Sequence, residues 1–167
     1  ELEKLFTTKP SKWSDIKPGA SSEPVQVVFD SPNSGNARYL RELFQLKQLP
    51  SLCTAVKSNE EVVNYVESHP GSMGVISSNW ISDVDDSVSG DFLKRIRVVG
   101  VSSENDPDAL LGYTQPYQGY LADKSYPFRR DVYYINREIG TRLGTGFASF
   151  VAGDKGQRIV LKSGLVP

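Results

Sequence analysis

Val25-Gln-Val-Val-Phe29-Asp-Ser-Pro-Asn-Ser34-Gly-Asn-Ala-Arg38-Tyr-Leu-Arg-Glu-Leu-Phe44 reads as a strand, a tight turn and a helix. Val25, Val27, Val28 and Phe29 make a short β-branched and aromatic run, the composition of a strand buried in a sheet. Pro32 and Asn33 interrupt it. Ser34 is a favourable N-cap, and Ala37, Leu40, Leu43 and Phe44 return at helical spacing. A helix begun there directs the N–H groups of Gly35 to Ala37 back toward the strand end. Gly35 lacks a Cβ and lets a ligand approach the backbone, and a helix N-terminus carries partial positive charge. The turn is therefore a candidate anion seat. Position 37, where a capping box would place Glu or Gln, is Ala, so the donors are not obviously satisfied within the helix. The competing reading is that Ser-Gly helix starts are common and are satisfied by their own Ser and by water.

Outside this stretch, composition narrows the field. A chain of 167 residues, 38% hydrophobic and 23% charged, has the make-up of a globular domain of ordinary size. Its net charge is −1, so no bulk field favours nucleic acid or an anionic membrane, and anion binding must come from local geometry. One cysteine, Cys53, rules out an internal disulfide and a Cys-based zinc site; it reads as a small buried residue. No apolar run approaches the roughly 20 residues that span a bilayer, and no signal peptide is present. An exported form would have lost its leader or left it outside this sequence.

Upstream, Glu1 to Thr8 reads as a short helix with Leu2, Leu5 and Phe6 on one face. Lys9 to Ile16 reads as a turn anchored by Trp13, and Lys17 to Pro24 as a linker. Downstream, Leu52 to Val56 is a second strand, and Ser58-Asn-Glu-Glu61 is a capping box opening a helix through Val62, Val63, Tyr65 and Val66. His69-Pro-Gly71 ends that helix, and His69 reads as a surface residue at its end rather than a catalyst. Ser72 to Ile76 is a third strand. Asp83-Val-Asp-Asp86 resembles a calcium loop but lacks the sixth-position Gly and has Lys94 at the twelfth, so it reads as a solvated acidic loop. Arg95 to Val101 is expected as a fourth strand with Arg95 and Arg97 on one face. After a Pro/Gly/Tyr-rich stretch from Asp106 to Ser125, with a helical piece at Tyr117 to Ala122, Tyr126 to Ile135 is the longest strand candidate. Helices follow at Phe147 to Val151 and Asp154 to Leu161, the second closed by Ser163-Gly164. Strands alternating with helices imply an α/β fold with a mixed or parallel sheet flanked by helices.

Lys12-Trp-Ser-Asp15-Ile, Asn33-Ser-Gly35-Asn, Met73-Gly-Val75, Tyr126-Pro-Phe-Arg129 and the tail Phe147-Ala-Ser-Phe150…Gly156-Gln157…Gly164-Leu-Val-Pro167 occur in a fixed order. That order resembles the phosphate-type solute-binding proteins of ABC transporters, which have the type 2 periplasmic binding fold. The resemblance runs from Lys4 to Pro167, and the tail and the Tyr-Pro-x-x-Arg segment are its most specific parts. It implies a two-lobed protein in which a Ser-Gly-Thr helix start seats phosphate. On that plan, 1–23 are an entry helix and linker, 24–113 are lobe two, 114–125 are the hinge return, and 126–167 are a strand-helix-helix segment of lobe one. The first lobe's N-terminal strands would then lie outside this sequence. Two positions depart from the family pattern. Asp30 stands where the family carries a phosphate-pairing Arg, and Asn36 stands where it carries Thr.

The expected function is non-enzymatic: extracytoplasmic binding of phosphate or a similar oxyanion for import through an ABC permease. An enzyme is the least favoured reading, because no nucleophile–base pair or metal cluster is visible and the chain has one His and one Cys. No cofactor, metal or catalytic residue is therefore expected, nor, at a net charge of −1, a nucleic-acid partner. The resemblance also implies a periplasmic or extracytoplasmic location, with or without a lipid anchor on a removed N-terminus. Ser34, Gly35 and Asn36 are the expected ligand contacts. Arg38, one helical step on, is a candidate to offset Asp30, although its side chain is expected along the helix surface; Arg129 or Arg130 is a further source of charge. The alternative keeps the fold but, because of Asp30, gives it an organic or zwitterionic ligand, or a sensing or assembly role. Apolar side chains at Phe128, Tyr134, Phe147 and Phe150 are expected to promote self-association of a truncated chain.

Overall fold

The computed structural model describes residues 1–8, 10–82, 87–102 and 112–167. The acidic loop at Asp83 to Asp86 and the start of the Pro/Gly/Tyr-rich stretch lie outside the described residues. The chain divides into two compact units. The first is Glu1–Ser77 with Lys94–Ile96, and the second is Ser78–Leu93 with Arg97–Pro167.

The first unit is built on strand β1 (Gln26–Phe29), the middle member of a three-stranded sheet in the order β2-β1-β3. Strands β2 (Cys53–Ala55) and β3 (Ser72–Val75) both run parallel to it, so the sheet is parallel rather than mixed. Val27 pairs with Cys53 on one side and with Met73 on the other; Phe29 pairs with Ala55 and Val75. Val27, Val28 and Phe29 are fully buried, which is why β1 is a continuous apolar run and not an alternating one. Each such side chain contributes about 1.5–3 kcal/mol by leaving water, so a one-residue slip of register would be costly.

Alternate side chains of β1 reach different layers. Val27 and Phe29 join a core with Leu5 and Phe6 of helix α1 (Leu2–Thr7), Ile16 of helix α2 (Trp13–Ile16), and Ala37 and Leu40 of helix α3 (Gly35–Leu43). Val28 lies beneath helix α4 (Asn59–Ser68), whose Val62 and Val63 are buried. The close approach of α4 depends on Gly74: a Cβ there would lie 2.7 Å from Val62 Cγ1 and 3.0 Å from Val66 Cγ2. Ser58 caps α4 by accepting the Glu61 N–H at 3.1 Å. Glu61 reaches back to the Lys57 N–H, one residue before the cap. The expected turn around Trp13 is a short helix whose indole N–H donates to the Gly71 carbonyl at 2.6 Å.

The expected fourth strand is not one. Helix α5 (Ser87–Arg95) occupies the preceding residues and buries Ser89 and Phe92, so Arg95 is a helix end. Its guanidinium pairs with Glu67 at 2.6 Å, with Asn64 beside it. Among the described residues beyond it, Val101 bridges Thr114.

The second unit continues with helices α6 (Gln118–Ala122), α7 (Leu143–Ala152) and α8 (Asp154–Lys162). Gln118 Nε2 donates to the Leu161 and Leu165 carbonyls, tying α6 to the end of α8. A Cβ on Gly156 would collide with the Phe150 carbonyl oxygen and the Val151 backbone, and Gln157 Nε2 donates to the Val151 carbonyl at 2.6 Å. The Gly-Gln pair of the tail therefore makes the α7–α8 corner. The segment expected as the longest strand, Tyr126 to Ile135, has no regular secondary structure and pairs with no strand among the described residues. A strand requires a neighbour for its backbone groups, and here none is supplied: Val132 is 72% and Ile135 84% exposed.

Candidate functional site

The C-terminal ends of β1 and β3 and the N-terminus of α3 meet within the first unit. Open α/β sheets place their ligands at this edge of the sheet. β1 stops at Phe29 because Asp30 and Pro32 favour a turn. The Ser34 N–H donates to the Ser31 carbonyl at 3.2 Å, and the Asn33 N–H to Ser31 Oγ at 3.4 Å. Ser34, extended at φ −64 and ψ 158, is the N-cap and accepts the Ala37 N–H at 3.2 Å.

One of the donors expected to be free is therefore taken by the cap. The N–H groups of Gly35 and Asn36 have no acceptor among the described residues. No acidic side chain sits in the first turn of α3, so the partial positive charge there is not offset from within the helix. The Asn36 side chain faces the sheet edge, where its Oδ1 accepts from Ser77 Oγ at 3.3 Å. Ser77 lies just beyond β3 and ties the first turn of α3 to that strand's exit. Sequence reasoning did not single out Ser77; its only signal is a polar residue following a strand.

Asp30 Oδ1 is buried and has no hydrogen-bond partner among the described residues. A buried carboxylate oxygen without a donor is costly, so the strand end offers an acceptor while the helix start offers donors. Arg38 is exposed on α3; its N–H donates to the Ser34 carbonyl at 3.0 Å, and its guanidinium has no partner among the described residues. Arg129 belongs to the second unit and is exposed, as is Arg130. The first unit thus assembles Asp30, Ser34, Gly35, Asn36 and Ser77. It leaves Arg38 on the helix surface and does not contain Arg129.

The other titratable residues have structural surroundings. His69 is exposed, stacks on Tyr65 with ring centroids 4.0 Å apart, and places Nδ1 2.9 Å from the Tyr65 carbonyl. Cys53 is half-buried on β2, and loss of hydration pushes its thiol up to about 12. No cluster of His, Cys, Asp or Glu among the described residues could hold a metal ion. No helix among them is long and apolar enough to cross a membrane.

Solved structures share this architecture. A possible phosphate-binding protein from Planctomyces limnophilus superposes with a TM-score of 0.66 at 20% identity, over 99% of this chain and 57% of that one. A structure from Clostridium perfringens, described as a phosphate ABC transporter substrate-binding protein with bound phosphate, gives 0.64 at 24% identity, over 99% and 60%. PstS from Borrelia burgdorferi gives 0.61 at 18% identity, again over 99% and 60%. This chain spans less than two thirds of the length of each of them. No curated protein matches the sequence. The model of the PBP superfamily domain matches residues 1–155, and the chain belongs to that superfamily.

Proposed function

We propose that this chain carries one side of the ligand site of an extracytoplasmic solute-binding protein, without enzymatic activity, that holds phosphate or a similar oxyanion for an ABC permease. The observation that carries the reading is the pair of unused N–H groups, Gly35 and Asn36, at a capped helix start beyond the end of a parallel strand. Such a start binds oxyanions through directed hydrogen bonds and the helix dipole. The descriptions of the structural neighbours support the same ligand class. Ser34 and Asn36 shape the seat, and Asp30 opposes a fully ionised ligand.

Asp30 also favours a second reading, because its orphaned oxygen is complemented by a ligand that brings its own donor, such as a zwitterion. Calorimetric titration of the wild type and Asp30→Asn with phosphate, sulfate and an amino-acid mixture separates the two. On the oxyanion reading, phosphate binds at about 1 mM or tighter, and Asp30→Asn tightens it about tenfold by removing a like charge. On the zwitterion reading, an amino acid binds the wild type and Asp30→Asn abolishes that binding. Absence of heat from phosphate and sulfate with both proteins would sink the oxyanion reading.

A further inference from the structure

No further inference is drawn: the strongest candidate, the side-chain cluster that the Asn36 amide and the Ser77 hydroxyl form at the start of α3, belongs to the ligand site already described, and the hydrogen bond between them points to no second ligand.

Discussion

Asp15 shows how one exposed side chain holds the entry to the fold. Its Oδ2 accepts the Lys12 N–H at 2.9 Å, and the Ser11 N–H and Ser11 hydroxyl at 3.0 Å each. The Lys12 N–H, then the Ser11 hydroxyl and N–H, hold its carboxyl below the ordinary 3.8. These bonds start α2 and set Trp13 on the Gly71 carbonyl just ahead of β3. A folded-state value below the unfolded one means that ionised Asp15 stabilises the native chain above about pH 4, and that this contribution is lost as the pH falls through the folded value. Asp15→Asn is therefore expected to lower the urea midpoint at pH 7, with the gap to wild type narrowing by pH 3. A gap of equal size at both pH values would show that the carboxylate's charge plays no part. The Trp-Ser-Asp turn was legible in the sequence because its residues are local to one another. Ser77 was not, because its bond to Asn36 joins residues far apart in the chain, and only the parallel register of β3 on β1 brings them together. Asp30 was legible as a residue out of place, but the absence of a partner for its oxygen was not.

At the scale of elements, the fold depends on how closely α4 lies on the sheet, and Gly74 sets that distance. Gly74→Ala would force the Val62 and Val66 methyls outward. Overpacking of this kind costs about 1–3 kcal/mol, read as a lower denaturation midpoint. Adding Val62→Ala removes the nearest methyl, so the double variant is expected to lose less than the sum of the two single losses. Additive losses would place the strain elsewhere. Elements whose period and packing agree were legible: β1 is a clean apolar run, and α3 and α4 carry both a clean pattern and a capping signal. Helix α5 was hidden because Ser87-Val-Ser-Gly-Asp combines weak helix formers, and burial of Phe92 outweighs their preference. The alternating Arg95-Ile-Arg-Val that follows imitates a strand, but it holds a helix end and a stretch of loop.

For the molecule as a whole, the two units differ in what protects their backbones. In the first, β1 is hydrogen-bonded on both sides and buried on both faces, so its amides exchange only when the sheet itself opens. In the second, helices α7 and α8 are locked at the Gly156 corner, while Arg129–Ile139 has strand composition without strand bonding. Composition made that segment the strongest strand candidate in the chain; a propensity cannot reveal whether a neighbour is present to pair with. Hydrogen exchange read by mass spectrometry should divide the chain accordingly. At low micromolar concentration, peptides covering β1 are expected to be protected to the level of global unfolding, and those covering Arg129–Ile139 to exchange at nearly unprotected rates. Protection of the segment would mean that its amides are bonded within one chain, and the unpaired backbone described above would then be wrong.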